Sequence, residues 1–73
     1  MLSKKDLQIA VGRQIKKLRE ERNIPQQVIA AKCNIEKSNF SRIEAGNTNP
    51  TIYTLYKIAS NLDVKLSELL DFQ

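Results

Sequence analysis

The residues that enzymes use for catalysis are few in this chain and are poorly arranged for it. Histidine is absent and Cys33 is the only cysteine, so no histidine and cysteine cluster can hold a metal ion. The carboxylates of Glu20 and Glu21 are adjacent on a predicted helix and do not converge on one point. Ser38 and Ser41 have no nearby base that would activate a hydroxyl. The sequence therefore predicts a protein that is not an enzyme, with no catalytic residues, no metal site, no cofactor and no evident small-molecule ligand.

A different chemistry, hydrogen bonding to a polyanion, is available on one short helix predicted over about residues 37–45. Its apolar residues Phe40 and Ile43 are three apart and should be buried together with Ile35. The remaining face is polar and carries two cations: Lys37, Ser38, Asn39, Ser41 and Arg42. The net charge of +4 is concentrated near the start, where residues 1–23 hold seven basic and three acidic side chains. This distribution indicates one side that faces a polyanionic partner.

Hydrophobic periodicity predicts the helices that position this face. The predicted helices cover about residues 3–23, 25–33, 37–45, 51–61 and 66–70. The first has an apolar stripe of Leu7, Val11, Ile15 and Leu18, and the fourth has one of Ile52, Leu55, Ile58, Ala59 and Leu62. Period-two runs long enough for a strand are missing from the pattern. The fold class predicted is all-α, a compact five-helix bundle forming a single domain over residues 1–73.

Polar residues and a glycine mark where these helices begin and end. Ser3 and Thr51 are suitable N-caps, because a hydroxyl oxygen can accept from the free amides of the first turn. Asn23, Asn34 and Gly46 suit the left-handed backbone that follows a helix or makes a tight turn. The predicted turn at Asn34 joins the second and third helices into a helix-turn-helix, with its core at about residues 25–45. Such a pair crosses DNA with its first helix and enters the major groove with its second.

The sequence resembles the lambda-repressor-like, Cro/repressor-type (Xre-like) DNA-binding domains over roughly residues 9–70. The matching positions are Val11-Gly12, Ile15 to Gln27, Ile29-Ala30, Ser38 to Glu44, Gly46, Asn49-Pro50, Thr54-Leu55, Lys57 to Ala59, and Leu62, Val64, Leu66 and Glu68 to Leu70. The resemblance implies a five-helix bundle that binds double-stranded DNA sequence-specifically through the major groove. It also implies a transcriptional regulator, and a repressor is the expected kind.

The resemblance also implies roles for individual residues. Base edges would be contacted by Lys37, Ser38, Asn39 and Arg42, because Arg and Lys pair with guanine and Asn with adenine. Phosphates would be contacted by Gln26, Gln27, Ser41, Asn47, Thr48 and Asn49. Of the first-helix cations Arg13, Lys16 and Lys17, one would have a secondary phosphate role, and we select Arg13. Arg19 and Glu44 would form a structural salt bridge between the first and third helices. Glu36 stands where a Ser or Thr usually caps the third helix. Its carboxylate can still accept from the helix amides, but it would repel a nearby phosphate.

Two further expectations concern partners and location. The apolar end at about residues 62–73, with Leu69, Leu70 and Phe72, predicts a homodimer that binds a palindromic operator. The chain has no apolar run long enough for a membrane span, and one cysteine is typical of a reducing compartment, so a cytoplasmic location is expected. The alternative function is a protein-interaction module, such as the antitoxin of a toxin–antitoxin pair, in which DNA binding is secondary.

Overall fold

The computed structural model describes residues 1–72, and this part of the chain contains five helices and no strands. They are α1 (Lys4–Glu21), α2 (Gln26–Lys32), α3 (Lys37–Glu44), α4 (Ile52–Asn61) and α5 (Leu66–Leu69). Each lies within two residues of its predicted bounds, and the all-α fold class is confirmed. Over the same residues, none of the helices has both the length and the apolar character needed to cross a bilayer.

The predicted capping residues have the predicted geometry. The Ser3 hydroxyl accepts from the Asp6 amide at 3.0 Å, and the Thr51 hydroxyl accepts from the Thr54 amide at 3.1 Å. The backbone is left-handed at Asn34, with φ of 57°, and at Gly46, with φ of 76°. The turn at Asn34 is therefore tight enough to bring α3 directly against α2, as a helix-turn-helix requires.

The hydrophobic core draws on every helix. Its fully buried members include Ile15 of α1, Ile29 of α2, Phe40 of α3, Ile58 of α4 and Leu69 of α5. Short helices such as α2 and α3 are not stable in water by themselves, so their formation depends on this shared core.

Two members of the predicted apolar stripes, Leu7 and Ile52, are exposed. Leu7 is 46% exposed and Ile52 is 74% exposed. Both lie near the N-terminal ends of their helices, where they border an apolar groove of about 220 Å³ with Leu55 and Leu70. Leu7 and Ile52 follow the helical spacing correctly, but in the described part of the chain no further element packs over these helix ends.

Gly12 explains how closely α1 and α3 approach each other. A Cβ atom at this position would lie 2.5 Å from the Ile43 carbonyl oxygen and 2.6 Å from that of Glu44. Only glycine allows the two helices to approach this closely, and the packing that it permits offsets the low helix propensity of glycine within α1. The contact fixes the inner side of α3 against α1 and leaves its other side facing outward.

Candidate nucleic-acid interface

The outward side of α3 carries the polar residues that the sequence pattern placed there. Phe40 is fully buried and Ile43 is 5% exposed, so these two side chains define the inner side of the helix. The four candidates for base contacts, Lys37, Ser38, Asn39 and Arg42, are all exposed. This separation follows from the 3.6-residue period of the helix. The result is a short helix with hydrogen-bonding groups and two cations directed to solvent.

An open groove runs between α3 and the loop that follows it. Asn39 and Arg42 line one wall, and Thr48 and Asn49 line the other, next to the start of α4. The structure therefore brings two candidates for base contacts beside two candidates for phosphate contacts. Arg42 supplies a cation to the groove that can bind either a phosphate or a guanine edge.

Glu36 does not cap α3 with its side chain. Its backbone has N-cap dihedrals, with φ of −60° and ψ of 141°, but its side chain makes no capping hydrogen bond to α3. N-cap side chains are normally short, and the additional methylene of glutamate carries the carboxylate past the helix amides. Glu36 instead lines the groove with Asn39 and Arg42. The side chain therefore does not take the capping role that was open to it. Its negative charge lies in the groove, where it would repel a phosphate.

A second cleft lies at the junction of α1, α2 and α3. It is lined by Lys16, Gln26 and Ser41 together with Glu44 and Ala45. Gln26 and Ser41 are half-buried, and Lys16 is exposed at the rim. The predicted phosphate candidates Gln26 and Ser41 are thus neighbours, and α1 places a cation next to them.

Arg13, the cation selected from α1 at the sequence level, is not part of this cleft. It lines a different surface with Leu2, Lys17 and Phe72. The reason is the helical repeat: Lys16 follows Gly12 by four residues and so shares its α3-facing side, whereas Arg13 is turned by about 100°. Lys16 was among the three cations considered, and its spacing from the glycine at the close helix contact explains why it lines this cleft.

A buried hydrogen-bond network joins this cleft to the helix packing. Arg19 Nε donates to Glu44 Oε2 at 2.6 Å, and its Nη2 donates to Oε1 at 3.0 Å. Arg19 Nη1 donates to the Ile24 carbonyl at 2.8 Å. The ion pair implied for α1 and α3 is therefore present and bidentate, with side chains 9% and 3% exposed. The hydrogen bond to Glu44 raises the pKa of Arg19, which keeps the guanidinium charged at any working pH.

Gln26 is part of the same network. Its Nε2 donates to Glu44 Oε1 at 2.7 Å. A side-chain amide nitrogen carries two hydrogens, so this bond uses one of them and the second can donate to a phosphate. The other phosphate candidates lie at the surface, with Gln27, Asn47 and Asn49 exposed and Thr48 half-buried.

A tight two-helix unit with an outward polar face on its second helix defines a helix-turn-helix DNA-binding regulator. The comparison with protein families agrees with this class. The chain belongs to the Helix-turn-helix family, whose model matches residues 15–69.

Relatives of the chain include control proteins and transcriptional regulators. The control protein C.MunI of a Mycoplasma species is 37% identical over 65 residues, which are 88% of this chain and 88% of that protein. The transcriptional regulator SinR of Bacillus subtilis is 39% identical over 62 residues, 84% of this chain and 56% of SinR. The solved structure of the restriction-modification controller protein C.Esp1396I superposes with a TM-score of 0.79 at 34% identity, covering 88% of this chain and 86% of that one.

Proposed function

We propose that this protein represses transcription by binding a specific double-stranded DNA site with α3 in the major groove. The observation that carries the proposal is the groove in which Asn39 and Arg42 lie beside Thr48 and Asn49. An arginine donates two hydrogen bonds to guanine, and an asparagine pairs in the same way with adenine. Lys37, Ser38, Asn39 and Arg42 are the proposed base contacts. A protein bound in this way would occlude a promoter.

Phosphate contacts on both sides of α3 would hold it at a fixed depth in the groove. On one side are the loop residues Asn47, Thr48 and Asn49, and on the other are Gln26, Gln27 and Ser41. We place Lys16 with the second group in preference to Arg13, because Lys16 lines the cleft that contains Gln26 and Ser41. Contacts of this kind set the register of the helix but carry no sequence information.

The proposed assembly is a homodimer on a palindromic operator. Leu69 is fully buried in the chain's own core and Phe72 packs against it, so Leu70, 49% exposed, is the member of the predicted apolar end that remains at the surface. Residue 73 of that predicted segment lies outside the described residues. Leu70 adjoins exposed Leu7 and Ile52 along the apolar groove, and this surface supports a contact with a second copy. A two-fold dimer would separate the two α3 helices by about 34 Å, one turn of DNA.

The DNA-binding role also supports a cytoplasmic location and a function without catalysis. The relatives described above are named as control and regulatory proteins, and for that reason we do not put forward the antitoxin alternative.

The DNA site can be identified by selection from a random-sequence duplex library at near-physiological salt. The wild-type protein should enrich a palindrome with half-site centres about 10–10.5 base pairs apart. The Asn39→Ala, Arg42→Ala double variant should lose this enrichment while keeping its melting temperature. Lys17→Ala removes one exposed cation that lies with Phe72 rather than beside α3, and it should enrich the same site as wild type. Equal enrichment by all three proteins would contradict base reading by α3.

The oligomeric state is tested by sedimentation at micromolar concentration. Wild type should sediment as a dimer on the selected site, and Ile52→Asp should weaken dimerisation because it places a charge on the apolar groove. A wild-type monomer both free and on DNA would exclude the proposed dimer and leave the α3 proposal standing.

A further inference from the structure

The loop after α3 is tied to the beginning of α1 by a single lysine. Lys5 Nζ donates to the carbonyl oxygen of Gly46 at 2.6 Å and to Asn47 Oδ1 at 2.9 Å. One turn further along α1, Ile9 packs so closely on Gly46 that a Cβ atom there would lie 2.7 Å from the Ile9 Cα. The first turns of α1 therefore brace the point where the chain leaves α3.

We propose that Lys5 is a positioning residue for DNA binding, which sets the orientation of the Asn47 side chain toward a phosphate. This inference rests on the proposed function, in which the loop Asn47–Asn49 contacts the DNA backbone. The ammonium of Lys5 has donors and no acceptor, so the oxygen of the Asn47 amide must be the atom that faces it. This bond uses the amide oxygen of the exposed Asn47 side chain and leaves both hydrogens of its amide nitrogen to donate to a phosphate oxygen.

The carbonyl groups at the C-terminal end of α3 also favour a cation at the position of Lys5. The Gly46 amide donates to Ile43 O at 3.1 Å and the Asn47 amide donates to Arg42 O at 2.9 Å, which closes the C-terminal turn of α3. Carbonyl groups at a helix C-terminus carry partial negative charge and attract a cation. Lys5 occupies this position and links the end of α3 to the loop.

The exposure of Lys5 separates positioning from a purely structural role. Its side chain is exposed, and exposed charged contacts contribute little to folding stability because water and salt screen them. A loosely held Asn47, in contrast, must be ordered each time the protein binds DNA, and that ordering lowers affinity. Loss of Lys5 should therefore weaken DNA binding while leaving thermal stability almost unchanged.

Lys17 provides a matched control on the same helix. It carries the same charge and is also exposed, but it lines a surface with Leu2 and Phe72 that does not include the loop after α3. Lys17→Gln and Lys5→Gln therefore make the same change in net charge. The two variants differ in whether the bonds to Gly46 and Asn47 are removed.

The test measures the affinity of the full chain for the duplex selected by the wild-type protein, at several salt concentrations. Lys5→Gln should bind about fivefold more weakly than Lys17→Gln, and both should show the same dependence on salt, because Lys5 acts through Asn47 and makes no phosphate contact itself. In an Asn47→Ala background, the effect of Lys5→Gln should become smaller. In NMR spectra of the free protein, the side-chain NH₂ signals of Asn47 should shift in Lys5→Gln and stay in place in Lys17→Gln.

Each alternative result overturns the inference in a recognisable way. Equal affinities of the two variants, or an undiminished effect of Lys5→Gln without Asn47, would exclude positioning through that side chain. A salt dependence reduced only in Lys5→Gln would show that Lys5 contacts a phosphate directly. A wild-type protein that selects no site would refute the proposed function itself, and the NMR comparison would still decide whether Lys5 orients Asn47.

Discussion

Replacing Arg19 with methionine should destabilise the protein far more than its position on a surface helix suggests. Glu44 is 6% exposed and accepts from Arg19 at 2.6 and 3.0 Å. Without Arg19, the hydrogen bond from Gln26 at 2.7 Å is what remains to this carboxylate. Removing one partner of a buried pair costs about 3–5 kcal/mol, because the other charge is left without compensation. Chains of 73 residues have a total stability of about 4–11 kcal/mol, so this change should remove a large part of it.

The free energy of unfolding can be measured by urea titration followed by circular dichroism, with Arg13→Met as the control. Arg13 is an exposed arginine of the same helix, and its replacement should change stability by less than about 0.5 kcal/mol. The melting temperature of Arg19→Met should fall by at least about 12 °C in a domain of this size. The double variant Arg19→Met, Glu44→Met should be more stable than Arg19→Met alone, because it removes the uncompensated charge. Equal stability of Arg19→Met and Arg13→Met would refute this reasoning. So would a double variant whose loss of stability equals the sum of the losses in Arg19→Met and Glu44→Met.

Three further predictions follow from single contacts. Gly12→Ala should lower stability by about 1–3 kcal/mol in a urea titration, although alanine favours helix, because its Cβ would lie 2.5 Å from the Ile43 carbonyl oxygen; a stabilised variant would contradict this packing. Burial raises the pKa of the Cys33 thiol above its ordinary value of 9.0, against the lowering effects of Asn61 and Lys57. The folded state therefore favours the protonated thiol, so this contribution to stability is fully present below pH 9.0 and is lost as the pH rises through the folded-state pKa. Alkylation of Cys33 at neutral pH should be slow until urea unfolds the chain. Equal alkylation rates of the folded and the unfolded chain would contradict the burial. Lys16→Ala should weaken binding to the selected DNA more than Arg13→Ala, with a salt slope reduced by about 1, and the reverse order would return the phosphate contact to Arg13.

Much of the fold was predictable because its signals are local. Ser3, Thr51, Asn34 and Gly46 each act within four residues of their own position, through a cap or a left-handed turn. The exposure of Leu7 was not predictable in this way. Periodicity shows which side of a helix is apolar, but whether another element covers a given turn depends on the lengths of its neighbours in the fold.

The same distinction applies to the candidate interface. The outward side of α3 followed from the spacing of Phe40 and Ile43 along one helix. The neighbours of Gln26 could not be obtained from spacing, because the carboxylate of Glu44 that it contacts is 18 residues away. The link from Lys5 to Asn47 spans 42 residues, and no pattern along one helix contains it. Contacts of this kind are fixed by the packing of α1 and α2 on α3.

The packing of α1 on α3 has a periodicity of its own, which a search for apolar residues does not detect. Lys5, Gly12 and Arg19 are spaced by seven residues, so they lie along one side of α1. Each meets α3 or its end: Arg19 binds Glu44, Gly12 lies against the Ile43 carbonyl, and Lys5 binds the carbonyl of Gly46. An eight-residue helix has little stability of its own, whereas the 18 residues of α1 form a longer and stiffer element. The direction in which α3 presents its polar face is therefore set at three points along α1. Because two of these residues are polar and one is glycine, a search for hydrophobic periodicity does not detect the stripe that they form. A change at Gly12 or Arg19 should alter DNA binding through the placement of α3, and a change at Lys5 through the orientation of Asn47, even though none of the three residues is itself a proposed DNA contact.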